Sequence, residues 1–391
     1  MYRGWIVTVA GLLINLLTGI IYTWSIIAGA LVRDMGWSFT EAALPYTVFL
    51  FSYAPAMAFA GRIQDKIGPR PVIITGGILL GGSTILSSIL ITPLYISILW
   101  GVFWGLGMSC TFATVTPAAI KWFPANRKGF ITGIVVFGMG ISGFIMAPLI
   151  NFSLSTAGLQ YTFLFIGILM LSGISILSRF IENPPLPLSQ DEAVFNSIPN
   201  RLPTEIFRLP QFYLLWLIFC LITGVGVTFA THMDTIARIQ FGFREGVIVV
   251  SLFSFFNAWG RIAAGALFDW LGHNKAMLIM FISMSIVLLS IIYLDTALSL
   301  AIAVSVIGLT YGGLFGLIPA TVSSFFGENN FGFFYGLIFT GIAVGGLFPL
   351  LGGYLYEVTG DFTRVFMVLL AASLLAVLLS LVIKKPKAFN P

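Results

Sequence analysis

The chain has 391 residues, 58% of them hydrophobic and 8% charged, with a formal net charge of +5 and a mean hydropathy of +1.03. A soluble domain carries roughly 25% charged residues, so this composition excludes a water-facing globule and makes lipid the solvent. The positive excess is no nucleic-acid signature, because the basic residues sit in short loops between apolar runs.

A spanning helix needs about 20 apolar residues, which leaves room for about a dozen helices. Apolar segments fall in order at 5–32, 43–61, 71–92, 95–120, 129–152 and 160–180, then at 211–232, 246–268, 275–294, 298–322, 332–356 and 364–383. The first follows Arg3 and imitates a signal peptide, with Ala28-Gly29-Ala30 in the place of a cleavage site. It exceeds the 7–15 residues of a signal core and is expected to remain as a spanning helix. Between the two sets of six lies ENPPLPLSQDEAVFNSIPNRLPTEIFRLP, rich in proline and charge and without an apolar period, which reads as a linker. The expected organisation is an all-α membrane protein of twelve transmembrane helices. Residues 1–180 form one six-helix bundle, 181–210 a cytoplasmic linker, and 211–391 a second bundle with a short tail.

Basic residues set the orientation. With both termini inside, the inner loops hold Arg3, Arg62, Lys66, Arg70, Lys121, Arg127, Lys128, Arg179, Arg201, Arg208, Lys275, Lys384, Lys385 and Lys387. The outer loops hold Arg33, Arg238, Arg244 and Arg364. Both termini and the linker are therefore expected in the cytoplasm.

The two sets repeat one another. Gly61-Arg62-Ile63-Gln64-Asp65-Lys66-Ile67-Gly68, joining segments two and three, matches Gly265-Ala266-Leu267-Phe268-Asp269-Trp270-Leu271-Gly272, joining eight and nine. Both read G-x-x-x-D-x-x-G and lead to a basic residue. Gly129-Phe130-Ile131-Thr132-Gly133 opens segment five as Gly332-Phe333-Phe334-Tyr335-Gly336 opens segment eleven. Both pairs are offset by about half the chain. Two parallel six-helix repeats are the mark of a transporter architecture with its site near the midplane between the halves.

The sharpest chemical feature is Arg261. Its segment, VIVVSLFSFFNAWGRIAAGA, holds no other formal charge. A cation there costs roughly 2.5–3.5 kcal/mol on insertion scales, and arginine cannot shed its proton. It is either a structural group reaching a carbonyl or the membrane edge, or the receptor of a passing anion. Its planar fork suits a carboxylate. Asn257 lies one turn away on the same face, to orient the guanidinium, donate to a substrate, or hydrogen-bond between helices. His232 and Asp234, at the outer end of segment seven, are either a solvated helix end or a proton-uptake site, since imidazole titrates near neutral pH. Asp65 and Asp269 read as gating or helix-capping groups. No Asp or Glu falls mid-segment, so a relay of buried carboxylates is not expected. Coupling must come from the substrate's own charge, from His232 with Asp234, from a proton travelling with the anion, or from anion exchange.

Taken together these motifs resemble the major facilitator superfamily, whose signature loop the region after segment two matches. Finer features resemble its oxalate/formate antiporter and monocarboxylate transporter branch. They are Tyr22-Thr23-Trp24-Ser25, Lys121-Trp122-Phe123-Pro124 with Arg127-Lys128-Gly129, Asn257-x-x-Gly260-Arg261, Tyr311-Gly312-Gly313 with Pro319, and Tyr335-Gly336-x-x-Phe339-Thr340. The resemblance implies the twelve-helix major facilitator fold and a substrate role for Arg261. It also implies an aromatic lining from Tyr22, Phe112, Tyr311 and Phe315, with Tyr53 more loosely, and a histidine near His232. Three departures matter. The oxalate exchangers carry a lysine in helix eleven, where Ile342 stands here. Animal monocarboxylate carriers have an aspartate where this chain has Asn257, and a lysine in helix one that this chain lacks.

One cation suggests a monoanion. The expected function is secondary transport of small monocarboxylates of lactate, pyruvate or formate size, by proton coupling or anion exchange. An oxalate, dicarboxylate or other organic-anion antiporter is the alternative, and a transport-dead membrane sensor is further off. No nucleophile motif, nucleotide loop or metal-ligand cluster is present, so no enzymatic activity, cofactor or metal is expected. Cys110 and Cys220, both in apolar runs, read as buried thiols. The expected partners are the carboxylate, protons and the bilayer. A monomer in a prokaryotic plasma membrane is expected.

Overall fold

The computed structural model describes residues 2–123, 128–184, 206–243, 246–293, 296–326 and 331–386; the side chains of residues 58, 65, 128, 129, 269 and 331–333 lie outside that description. Among the described residues, twelve long helices follow one another: α1 Tyr2–Met35, α2 Phe39–Ile67, α3 Pro69–Ser87, α4 Pro93–Ile120, α5 128–157, α6 159–178, α7 Pro210–Ile239, α8 246–271, α9 273–293, α10 Ala297–Phe326, α11 331–359 and α12 Thr363–Val382. Among the described residues there is no strand. Among the described residues, ten stretches are long and apolar enough to cross a membrane, and one of them, Phe130–Ser178, turns at Gly158 and is long enough to cross twice. The remaining helix, α2, has 29 residues, more than a crossing needs, with Glu41 in its first turn and Lys66 in its last.

The helices overrun their apolar segments. α7 continues to Ile239, carrying Arg238 in its last turn rather than in a loop. Arg33 likewise ends α1, paired to Asp34 at 2.8 Å. Charged side chains at helix ends reach the interface on their own stems, so an apolar count underestimates each helix. Most of the linker, residues 185–205, lies outside the described residues.

The internal repeat extends further than its sequence motif. All positive-φ glycines among the described residues fall into three pairs, Gly36/Gly242, Gly68/Gly272 and Gly158/Gly360, offset by 206, 204 and 202 residues. Each pair sits at equivalent turns of the two halves. Gly68 (φ 86°) and Gly272 (φ 78°) are the last glycines of the two G-x-x-x-D-x-x-G loops. A side chain there would be strained, and Pro69 restarts the chain as α3.

Within the second half, α8 and α10 touch backbone to backbone. A β-carbon at Gly308, Gly312 or Gly316 would collide with the carbonyl oxygen of Phe253, Asn257 or Arg261 respectively. This i, i+4 glycine ladder places the Asn257–Arg261 turn directly against α10. Between the halves, α5 meets α8 where Gly140 faces Ala258 and Gly143 faces Ser254, and α2 meets α11 where Gly346 faces Leu50. Small residues at these crossings leave smooth surfaces in contact.

Candidate functional site

α1 is interrupted beside this seam. Its α-helical parts, Tyr2–Thr18 and Trp24–Met35, are joined by a 3₁₀ turn, Gly19–Thr23. Gly19 allows it, since a β-carbon there would meet the Met139 carbonyl oxygen at 2.5 Å. The turn carries Tyr22 to the centre, 1% exposed. Such breaks in spanning helices recur at transporter binding sites. α11 is also broken, at Thr340 and Gly346.

Arg261 points into this region and is 7% exposed. Its Nη2 donates to the Tyr22 hydroxyl at 3.2 Å and to Asn257 Oδ1 at 3.3 Å. Its guanidinium carbon stands 5.0 Å from the centre of the Phe315 ring. Nε and Nη1 are buried without a hydrogen-bond partner, as is Asn257 Nδ2. Among the described residues, no carboxylate lies within ion-pairing distance of Arg261; the ion pairs are Arg3–Glu182, Arg33–Asp34 and Arg238–Asp234. A guanidinium has five N–H donors. Here one nitrogen is satisfied by neutral oxygens, and among the described residues no carboxylate compensates the charge.

The ring residues named from the resemblance join this centre. Tyr22 meets Tyr311 edge-on at 6.3 Å, and Tyr311 meets Phe315 at 5.4 Å. Phe315 meets Phe339 at 6.2 Å, which meets Tyr53 at 5.5 Å, and Tyr53 meets Phe112 at 6.3 Å. Tyr53 and Phe112 thus belong to the same aromatic wall, joined to Phe315 through Phe339. Phe219, Phe253 and Phe339 are wall members that the sequence reading did not single out as lining. With 37 phenylalanines in the chain, nothing in their spacing separates these from core or lipid-facing rings.

His232 and Asp234 sit apart from this centre. His232 is not a solvated end: it is 1% exposed, and its Nε2 lies 2.9 Å from the Pro349 carbonyl of α11. A carbonyl only accepts, so Nε2 carries the hydrogen. Asp234 binds Arg238 through both oxygens, at 2.9 and 3.1 Å. A β-carbon on Gly29 of α1 would stand 2.6 Å from Asp234 Oδ2, so this carboxylate lies at the seam between the halves. The backbones of Asp65 and Asp269 lie near the linker-side ends of α2 and α8, and their side chains are outside the described set. Cys110 and Cys220 are both free thiols. Among the described residues, no three His, Cys, Asp or Glu side chains gather as a metal site would require.

Twelve helices among the described residues, in two repeated halves with Arg261 and an aromatic wall at their seam, fit a membrane carrier of the two-bundle kind. The chain belongs to the Major Facilitator Superfamily, whose family model matches residues 8–348, and is a transporter of that superfamily. It is similar to the MFS-type transporter YhjX of Escherichia coli, 25% identical over 88% of this chain and 86% of the relative. It is also similar to the oxalate:formate antiporter of Oxalobacter formigenes, 26% identical over 88% and 83% of the two chains, and to monocarboxylate transporter 13 of Rattus norvegicus, 29% identical over 78% and 71%. A crystal structure of a bacterial homologue of the human lysosomal transporter Spinster, inward-facing and unoccupied, superposes with a TM-score of 0.71 over 97% of this chain and 95% of that chain. Its identity is 14%, so the likeness is one of fold.

Proposed function

We propose that this protein carries small monocarboxylate anions, of lactate, pyruvate or formate size, across the membrane by alternating access. The supporting observation is Arg261, buried and permanently charged, with Nε and Nη1 unspent and, among the described residues, no acid paired to it. A buried ion left unpaired is costly; a substrate carboxylate would supply the opposite charge and an acceptor for Nε or Nη1. Tyr22 and Asn257 hold the guanidinium from its other side, and the wall of Tyr311, Phe315, Phe339, Tyr53 and Phe112 limits how large the rest of the anion can be. Relatives named as an oxalate:formate antiporter and a monocarboxylate transporter are consistent with a carboxylate cargo.

In this reading a carboxylate on Arg261 removes the uncompensated charge from the seam and lets the halves rock. The linker and both termini face the cytoplasm of a prokaryotic cell, and the protein acts as a monomer. Asp65 and Asp269 help latch the linker-side mouth. Coupling runs through proton uptake at His232 with Asp234 or through exchange of one anion for another. Uptake of labelled lactate or formate into proteoliposomes tests the reading. Arg261→Ala should abolish the saturable component, and undiminished uptake by that variant would reject it.

Exchange of oxalate or another dicarboxylate is the second reading, prompted by the Oxalobacter relative. The position where those exchangers carry a second cation is Ile342, 2% exposed. Counterflow driven by internal oxalate distinguishes the two.

A further inference from the structure

At the end away from the linker, the first turn of α2 is capped twice. Ser38 and Glu41 form a capping box within the first half: Glu41 N–H donates to Ser38 Oγ at 3.1 Å, and Ser38 N–H donates to Glu41 Oε2 at 2.8 Å. The Thr40 N–H donates instead to Oε1 of Glu357, at 2.7 Å, a residue 317 positions away on α11 of the other half. The N-terminus of a helix presents unpaired N–H groups and about half a positive charge. Glu357 therefore brings a carboxylate from one half onto the positive end of a helix in the other.

The surrounding contacts also cross between the halves. Phe39 meets Tyr356 edge-on at 4.3 Å, and Phe362 at 6.4 Å. A β-carbon on Gly353 would lie 2.8 Å from both the Phe39 carbonyl carbon and the Thr40 nitrogen, so the two backbones are in direct contact. Deeper along the same pair of helices, the Thr47 hydroxyl donates to the Gly346 carbonyl at 2.6 Å. Towards the linker side, a β-carbon added at Gly61, Gly133, Gly265 or Gly336 would meet no heavy atom of the described residues within 4 Å.

We infer that Glu357 is the latch of the mouth away from the linker: its carboxylate on the α2 N-terminus holds that mouth shut, and release of this bond is part of every opening at that end. The inference does not depend on which anion is carried. Rocking the halves apart must pull Glu357 from Thr40, after which water takes the N–H. The charge serves this role better than a buried ion pair would. Glu357 is exposed, so breaking the contact strands no unsolvated ion, and the bond is weak enough to cycle. A charge at a helix N-terminus in such a setting is worth about 0.3–1 kcal/mol, which corresponds to about a two- to fivefold shift between closed and open populations.

Hydrogen–deuterium exchange on the full-length protein in lipid nanodiscs reads this directly. Glu357→Ala should raise exchange about two- to fivefold in two separate peptides, one over 38–46 on α2 and one over 346–358 on α11, with Glu357→Gln in between. Glu41→Ala removes a cap of the same helix turn within one half, so it should raise exchange over 38–44 and leave 346–358 unchanged. The inference is overturned if Glu357→Ala alters only its own helix, if it alters neither, or if Glu41→Ala loosens both helices equally. Melting temperatures of the variants, expected within a few degrees of wild type, exclude general unfolding as the source of the signal.

Discussion

The two halves share a backbone plan and differ in chemistry. The offset of 204 residues that aligns Gly68 with Gly272 also aligns Tyr53 with Asn257 and Met57 with Arg261. At equivalent turns of α2 and α8, one half offers a phenol and a thioether, the other an amide and a guanidinium. The first half contributes a hydroxyl from the 3₁₀ turn of α1, the Tyr22–Arg261 bond at 3.2 Å, and rings from Tyr53 and Phe112. Symmetry thus builds a pair of matched bundles, and its local violation builds the candidate site. The charge at the seam, Arg261, belongs to the second half, and the turn that matches it in the first half is uncharged.

The largest effect expected from breaking that asymmetry is on transport. Arg261→Met should reduce uptake at least about 100-fold, since a charge-assisted pair and its buried donors are lost together. Moving the charge with Met57→Arg in the Arg261→Met background should not restore it, because Tyr22, Asn257 and Phe315 are not mirrored around position 57. Next comes the ladder that seats Arg261. Gly312→Ala drives a methyl into the Asn257 carbonyl and should sharply lower the melting temperature and the yield of folded protein. Gly336→Ala, with no described atom within 4 Å, should leave both near wild type.

Asn257→Asp places a carboxylate beside Arg261, where Asn257 Oδ1 already lies 3.3 Å from Nη2. The resident charge competes with the substrate, so affinity at neutral pH should fall about tenfold. Because the new group must be protonated to withdraw, the loss should shrink as pH is lowered and be fully present as pH rises. Inhibition of labelled uptake by unlabelled substrate across pH measures this. The smallest effect is that of Tyr22→Phe. One hydrogen bond to Nη2 disappears while the ring remains, and apparent affinity should weaken about threefold to tenfold, with little change in maximal rate.

Much of this was written in the residues. Hydropathy and the repeated G-x-x-x-D-x-x-G loops disclose the twelve crossings and the twofold plan, because lipid forces long apolar runs and a reversing turn needs its glycine. Arg261 stands out for the same reason: a charge in an apolar run has few bland explanations. Tyr22, Tyr311 and Phe315 could be named through resemblance alone, since their type is common along the chain. The 3₁₀ turn that aims Tyr22 and the breaks at Thr340 and Gly346 were not legible. They arise from close approaches between helices distant in sequence, such as Gly19 on Met139 and Gly346 on Leu50. His232 was legible as a residue but not as a buried one. α7 runs past its apolar segment, and the α11 carbonyl that meets the imidazole has no sequence signal.

The central claim is that the guanidinium of Arg261 is kept without a protein counter-ion so that a substrate carboxylate can take that place. Equilibrium binding of radiolabelled lactate and formate to the purified protein, compared between wild type and Arg261→Met at matched folding, tests it most directly. The account predicts saturable binding of at least one of these anions by the wild type and none by the variant. Equal saturable binding by both proteins would contradict it.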